Sequence, residues 1–473
     1  MSEPMNLIPI SRRKTSFLER LAKASRPEML LLYSFATIIL IGSFLLSLPV
    51  SNAIRPAPYI DNLFTAVSAV CVTGLSTVTA ASQYSTFGKI VMIFLMQIGG
   101  LGPMTIIAVI LQQNQQRMDT VEKKLFAAGA GKSDLHDVPR YLRRIMLYTL
   151  LFESAGFVLL GLRMTGLYGL KTGLFNALFL SVSAFTNAGF DCIGADSLVR
   201  FASDPIINLT VMALIITGGL GFMVWFELSE VTRSRLGQGD LFRTRYKYLS
   251  VHARVVLRTT AILLTAGTVL FLALEFRNPM LAGMSGAEKI LVSMFQSVTL
   301  RTAGFSTVVI GRCTRPTLLI MCIFMLIGGS PGGTAGGMKT TTAAVLYKTT
   351  VNALDQKHKD AVIGHRTISA SLLKHAFMVL SLYISIIFVM LLILTISEPE
   401  TPLLNLMFEV FSAIATVGIS TGITAMLSVP GRIVIMILMF IGRLGPLSLY
   451  AAFHKPPKIK NHVTYPDAEI IIG

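Results

Sequence analysis

The sequence predicts an all-α polytopic membrane protein of four tandem helix–pore-loop–helix repeats, with eight spans and four re-entrant half-helices around a central pore. Three observations predict it. Gly74, Gly189, Gly304 and Gly418 are spaced by 115, 115 and 114 residues, and AVCVTGLST, AFTNAGFDC, TLRTAGFST and AIATVGIST set small or hydroxyl residues around each of them. Hydrophobic residues make up 53% of the chain and charged residues 14%, against roughly a quarter charged in soluble domains. The basic residues gather in segments that lie two crossings apart.

Residues 1–26 carry six Lys/Arg and are expected to be a cytosolic N-terminal segment. The uncharged run Met29–Val50 follows, and Ile90–Gln116 and Met378–Ser397 are two more. Each reaches the ~20 residues that cross ~30 Å of hydrocarbon as a helix. No small-residue cleavage pattern follows the first run, so it is expected to be a retained span and not a signal peptide.

Repeat 1 covers 27–116, repeat 2 141–230, repeat 3 252–350 and repeat 4 371–453, with a cytosolic tail at 454–473. Within each, a long apolar run precedes a short one, a glycine signature and a second long run. The second long runs are expected near 86–112, 205–228, 316–350 and 430–453. The short runs, of about 12 residues, rise about 18 Å as helices and cannot span. They must enter and leave by one face. Two spans per repeat then return every basic linker to the same side. Of the 41 Lys/Arg, 29 fall in 1–26, 112–145, 226–258, 339–374 and from 454 onward, which the positive-inside rule places in the cytosol. Topology thus accounts for the +17 charge without nucleic acid. Cys71, Cys192, Cys313 and Cys322 show no metal spacing.

Four such loops meeting at an axis can line a watery passage, where non-helical backbone is tolerated at membrane depth. A ring of carbonyls replaces a cation's hydration shell. Glycine adopts the backbone angles this needs and leaves room where four loops crowd. Half-helix C-termini aimed at the loops add partial negative charge. A single intramembrane glycine more often serves helix packing; the shared register favours a filter. Asp61, Asp191, Asp196, Asp204, Glu288, Glu398 and Glu400 stand near the mouth, as a cation attractor or as a solvated rim.

The second long segment of repeat 3 is broken by IGGSPGGTAGGMKTTT (327–342), with Gly328, Gly329, Gly332, Gly333, Gly336 and Gly337. Such a run cannot stay helical, and helix is expected to resume after Lys339. An intramembrane gating loop under the filter and a glycine-rich packing kink both fit. Arg443 is a costly charge in an apolar run. Lys339 adds to it in the path or snorkels at a helix end. Arg301 and Glu409 are candidates for a buried pair bracing the filter. Glu275 reads as interfacial because Arg277 and Asn278 follow it; Glu153 has no assigned place. GAGKS (129–133) lacks the upstream glycine of a phosphate loop, there is no HExxH, and no catalytic dyad emerges, so no enzyme is expected.

CVTGL, FTNAGF, RTAGF and TVGIS, with QIGGLG (97–102), TGGLGF (217–222) and IGRLGP (441–446), resemble the Trk/Ktr/HKT superfamily of cation transporters. Within it the chain is most similar to the membrane subunit of Ktr potassium-uptake systems. Its first repeat starts near residue 27 without two extra spans, and it ends in YPDAEIIIG. The resemblance implies a homodimer with one pore per protomer in the bacterial cytoplasmic membrane, both termini cytosolic. It implies potassium held by carbonyls at Val72, Thr73, Gly74, Asn187, Ala188, Gly189, Thr302, Ala303, Gly304, Thr416, Val417 and Gly418. It implies that the small-residue loop at 327–342 is a gate and that Arg443 lies under the filter and contacts that loop. In plant relatives a serine at the first filter glycine accompanies sodium transport, so Gly74 favours potassium. The Ktr branch further implies sodium stimulation and a separate cytosolic RCK-type ring that binds ATP or ADP, with Arg233, Arg235, Arg243, Arg245 and Lys247 as candidate contacts. Against this stand a sodium-permeable member of the same fold and an alternating-access carrier, although carriers commonly use inverted repeats.

Overall fold

The structure, a computed structural model, describes residues 27–102, 138–235, 246–355, 362–363 and 366–454. The basic N-terminal segment, GAGKS, Arg243, Arg245 and the tail from 455 lie outside the described residues. Four helices have the length and apolar character to cross a membrane alone: α1 (Pro27–Ser47), α4 (Val138–Tyr168), α8 (Val251–Glu275) and α12 (Ala370–Ser397). Each is followed by a shorter helix: α2 (Tyr59–Val70), α5 (Leu170–Thr186), α9 (Gly286–Thr299) and α13 (Leu403–Ile414). A glycine loop follows each short helix, and then a third helix: α3 (Thr86–Leu101), α6 (Pro205–Gly219), α10 (Arg315–Leu326) and α14 (Val429–Leu444). The remaining helices of eight or more residues are α7 (Phe222–Arg235), α11 (Thr340–Asp355) and α15 (Pro446–Phe453). A two-residue antiparallel pair, Val362–Ile363 with Arg366–Thr367, is a small departure from the all-α expectation.

Burial runs opposite to that of a water-soluble protein. Leu162, Ile396 and Phe44 on the long helices are 74%, 73% and 64% exposed, while Ser68, Gln296 and Glu409 on the short helices are fully buried. An apolar exterior, with polar side chains buried along the short helices among apolar core clusters, fits hydrocarbon outside. This is a polytopic membrane protein.

The packing closes on itself. α3 packs on α5, α6 on α9, α10 on α13, and α14 returns to α2. Each third helix therefore braces the short helix of the next unit, and the fourth braces the first. Within units, the first long helix also helps to start the third. Glu398 at the end of α12 accepts from the backbone N–H of Ser428 at 2.9 Å and from its hydroxyl. Glu275 at the end of α8 accepts from the N–H and hydroxyl of Thr314, both at 2.8 Å. Asp204 caps α6 through Ile206 and Ile207 and is held by Arg163 of α4 at 2.6 Å.

Three expectations need correction. The second long runs of repeats 2 and 4 are not single helices: α6 and α7 meet at 98°, α14 and α15 at 90°. Gly221 (φ +89°) and Gly445 (φ +83°) take a left-handed conformation that no right-handed helix continues, and Pro446 has no N–H to extend α14. Gly102 (φ +84°) ends α3 in the same way. Breaks therefore occur in repeats 2 and 4 as well as in repeat 3, while residues 103–112 of the run in repeat 1 lie outside the described residues. Glu275 does sit at a helix end, but its side chain is fully buried, because the start of α10 supplies it with donors. Arg301 and Glu409 form no pair: Arg301 bonds the carbonyl of Gly328, and Glu409 accepts from Thr424.

Candidate functional site

The four glycine loops meet. A Cβ on Gly74 would lie 2.8 Å from the carbonyl of Ala188 and 3.0 Å from the Cα of Gly189. On Gly189 it would lie 2.8 Å from the carbonyl of Ala303, and on Gly304 3.0 Å from that of Val417 and 3.2 Å from that of Thr73. On Gly418 it would overlap the carbonyl of Thr73. Each loop thus touches the next and the fourth touches the first, with main-chain oxygens at every contact. No side chain fits at any of these positions.

The loops are built alike. Val72, Asn187, Thr302 and Thr416 have φ of +56°, +60°, +65° and +52°, and the glycines two residues on have φ of +98°, +74°, +82° and +89°. Alternating backbone hand swings successive carbonyls off the helical direction. The unwinding begins at the end of each short helix. Thr73, Ala188 and Val417 donate N–H bonds of 2.8 Å to the carbonyls of Ser68, Ser183 and Ser412. The Ser68 and Ser412 hydroxyls then accept from the N–H of Gly74 and Gly418 at 3.0 and 3.1 Å. The third loop differs: Ala303 bonds Thr299, whose hydroxyl reaches the carbonyl of Phe305 at 2.6 Å. The C-terminal ends of α2, α5, α9 and α13 thus all deliver roughly half a negative charge at the loops.

Outside the loops lies a cavity of about 380 Å³ that touches all four glycines and includes Asp191 and Asp196 in its wall. The other rim acids are mostly committed to structure. Asp61 pairs with Arg432, Asp204 and Glu398 cap helices, and Glu288 completes a capping box with Ser285. Glu400 is exposed and does not line the cavity. Asp191 Oδ1 accepts from the N–H of Ile193 and Gly194 at 3.0 and 3.3 Å. Burial pushes its carboxyl above the usual range, opposed by those two bonds and by the charge of Arg200.

The small-residue segment lies on the other side. It leaves α10 at Ile327 and enters α11 at Thr340, as the sequence predicts. It is pinned at both ends and in the middle. Gly328 N–H bonds the carbonyl of Met338 at 2.9 Å, Ser330 N–H bonds that of Gly219 at 2.9 Å, and Thr334 N–H bonds that of Gly218 at 3.1 Å. Gly332 accepts from Phe222 at 3.0 Å. A Cβ on Gly333 would lie 2.9 Å from the carbonyl of Gly218, and on Gly329 3.1 Å from that of Gly219. The segment also reaches the loop bases. Thr334 Oγ1 donates to the carbonyl of Phe185 at 3.1 Å, a Cβ on Gly336 would strike the hydroxyl of Thr416, and one on Gly337 would lie 3.2 Å from the carbonyl of Ala415. Buried Arg301, next to Thr302, donates from Nε to the carbonyl of Gly328 at 3.1 Å.

Arg443 joins these parts. Its guanidinium donates to the carbonyls of Thr334 and Gly99, and to that of Gly100 at 3.0 Å. Carbonyl acceptors on two separate elements satisfy a charge that apolar surroundings would otherwise not tolerate. Lys339 does not snorkel; Nζ turns back to the carbonyl of Ala335 at 2.8 Å.

The sequence reading overlooked the carbonyls of Gly99, Gly100, Gly218 and Gly219, which hold Arg443 and the segment. QIGGLG and TGGLGF carried the signal. A Cβ on Gly99, Gly218 or Gly442 would strike the carbonyl of Val70, Phe185 or Ile414. These glycines let α3, α6 and α14 press their backbones against the last turns of α2, α5 and α13.

Comparison with known proteins agrees with this architecture. The family model described as "TrkH: Cation transport protein" matches residues 21–462. Over 453 residues the chain is 37% identical to the Ktr system potassium uptake protein B of Vibrio alginolyticus, covering 96% of both chains. It is 32% identical over 464 residues to the potassium/sodium uptake protein NtpJ of Enterococcus hirae, covering 97% of this chain and 100% of that one. The crystal structure of the potassium transporter TrkH from Vibrio parahaemolyticus shares the fold, with a TM-score of 0.67 at 18% identity over 89% of this chain and 84% of that one. The chain belongs to the TrkH family of cation transport proteins.

Proposed function

We propose that this protein carries potassium ions inward across a bacterial cytoplasmic membrane through a gated, carbonyl-lined filter, as the translocating subunit of a Ktr-type system. Its eight spans and four re-entrant half-helices form four repeats around the pore, each third helix counting as one span with its bent continuation. The filter residues are Val72–Gly74, Asn187–Gly189, Thr302–Gly304 and Thr416–Gly418. The single observation that carries this reading is the closed circuit of contacts from Gly74 through Gly189 and Gly304 to Gly418 and back. Four unwound loops with carbonyls at their contacts suit a dehydrated monovalent cation.

Residues 327–342 are the gate. They lie against the bases of three loops and are tied to Arg443, whose positive charge raises the barrier to cations in the closed state. The protein works as a homodimer with both termini cytosolic. A separate nucleotide-binding ring drives the gate, and sodium stimulates transport. The relatives named for Ktr systems support the partner, since a system implies further subunits. One observation favours a second reading, mixed potassium and sodium permeation: the Enterococcus relative is named for both ions.

Rubidium uptake by purified protein in lipid vesicles tests the proposal, with Gly74→Ser alongside wild type. The expected result is rubidium uptake that excess sodium barely inhibits in wild type and inhibits strongly in the variant. Unchanged selectivity in Gly74→Ser would remove the first loop from the filter. Equal competition by sodium in wild type would favour the second reading.

A further inference from the structure

We infer that Glu153, Gln97 and Thr149 form a monovalent-cation site between α3 and α4, separate from the filter. Glu153 lies in the middle of a membrane-crossing helix and is half-buried, and among the described residues it has no ion-pair partner. Its one side-chain bond comes from Gln97 Nε2, which donates to Oε2 at a long 3.4 Å. Three buried side-chain oxygens here have no hydrogen-bond partner: Glu153 Oε1, Oε1 of the Gln97 that bonds it, and Thr149 Oγ1 one helical turn before it.

Thr149 is the independent observation. It is 2% exposed and stands four residues before Glu153, one turn away on the same helix face. A threonine inside a helix normally gives its hydroxyl proton to the carbonyl four residues back. Thr165, Thr265, Thr268 and Thr395 all do so, at 2.7 to 2.9 Å. Thr149 does not, and neither does Thr260 of α8; what sets Thr149 apart is that its free oxygen stands on the same helix face as Glu153.

One carboxylate and two neutral oxygens are a hard-ligand set. Their single negative charge balances a single positive one, while a divalent ion would leave an uncompensated charge in an apolar setting. An ion here would also bear on the gate. Gly99 and Gly100, whose carbonyls hold Arg443, follow Gln97 on the same helix. Ser181 Oγ, from the second short helix, fixes the carbonyl of Glu153 at 2.6 Å. Occupancy would thus stiffen the contact among α3, α4 and α5 on which the Arg443 latch stands.

The test is equilibrium binding of radiolabelled sodium to the purified full-length protein in potassium-free buffer, because a monovalent site would also take up potassium, with each variant read against wild type. The readout is binding and not transport, so it stands or falls apart from the potassium-uptake reading. Wild type is expected to retain one sodium per chain. Glu153→Gln should weaken this by about tenfold or more, equivalent to about 1.4 kcal/mol, and Thr149→Val by several-fold. A potassium-dependent rise in melting temperature, kept in both variants, reports an intact fold. Absence of sodium from wild type would overturn the proposal and leave Glu153 as a neutral acid bonded to Gln97. So would undiminished sodium in Glu153→Gln. Should that variant fail to fold, unchanged sodium affinity in Thr149→Val overturns it as well.

Discussion

Arg432 Nη1 lies 2.5 Å from Asp61 Oδ1, an ion pair that ties the fourth third-helix to the first short helix, 371 residues away in sequence. It fastens the seam where the last unit meets the first. Arg432 also donates to the carbonyls of Leu427 and Ala425, at 2.9 and 3.2 Å, so its head is fixed before it meets Asp61. The two side chains are 18% and 9% exposed. Removing one partner from a largely buried pair costs on the order of 3 kcal/mol. Asp61→Asn should therefore lower the melting temperature of the detergent-solubilised protein clearly. Arg163→Gln is the comparison. Its pair with Asp204 leaves the arginine 46% exposed, and its loss should cost under about 1 kcal/mol. Equal shifts for the two variants would contradict a special role for the seam.

Gly189→Ala should abolish rubidium uptake while the protein still elutes at the wild-type volume. The new methyl group would meet the carbonyl of Ala303 and the Cα of Gly304, both at 2.8 Å, and the left-handed φ of +74° adds about 1 kcal/mol of strain. Gly166→Ala has open space around its Cβ and should transport normally. Uptake above half of wild type in Gly189→Ala would show that the second loop does not line the path.

Much of this was legible in the residues, and the reason differs by element. The loop register could be read because Gly74, Gly189, Gly304 and Gly418 recur every 114 or 115 residues, each with small or hydroxyl residues beside it. The extent of the small-residue segment could be read because glycine and proline exclude helix locally. The bends at Gly221 and Gly445 were less legible. At Gly221 the bend shows only in the packing, where a Cβ would lie 2.5 Å from the carbonyl of Pro331; at Gly445 the cue was the Pro446 that follows, which ends a helix. The Arg301–Glu409 pairing failed for a related reason. Opposite charge in two apolar segments invites a pair, but main-chain carbonyls compete for a buried guanidinium, and Gly328 is nearer.

Arg443→Gln should raise rubidium uptake several-fold in vesicles that lack any activating partner. The guanidinium holds the carbonyl of Thr334 on one side and those of Gly99 and Gly100 on the other. Under the gating proposed above, losing these charge-assisted bonds frees the segment, and losing the charge lowers the barrier to cations. Thr334→Val separates the two effects. It removes only the hydroxyl bond to Phe185, worth about 1 kcal/mol, and leaves the charge in place. It should raise uptake by less than Arg443→Gln. Lower uptake in both would mean that the segment supports the path and does not block it.

Asp191 supplies the pH dependence. Its carboxyl is raised above the usual range, chiefly by burial, so the folded protein holds this proton more tightly than the unfolded chain does. The sign follows for both stability and function. Ionisation as pH rises through the raised value takes stability away, and protonation as pH falls through it removes negative charge from the vestibule wall. With less charge to concentrate cations at the mouth, the apparent KM for rubidium should rise on acidification, starting above the pH at which an ordinary aspartate titrates. Asp191→Asn should show the high KM at every pH and a flat profile, with kcat little changed because the filter is untouched. Asp196→Asn, in the same wall, should raise KM at all pH values yet keep the slope. A sloping profile in Asp191→Asn would assign the titration to another group.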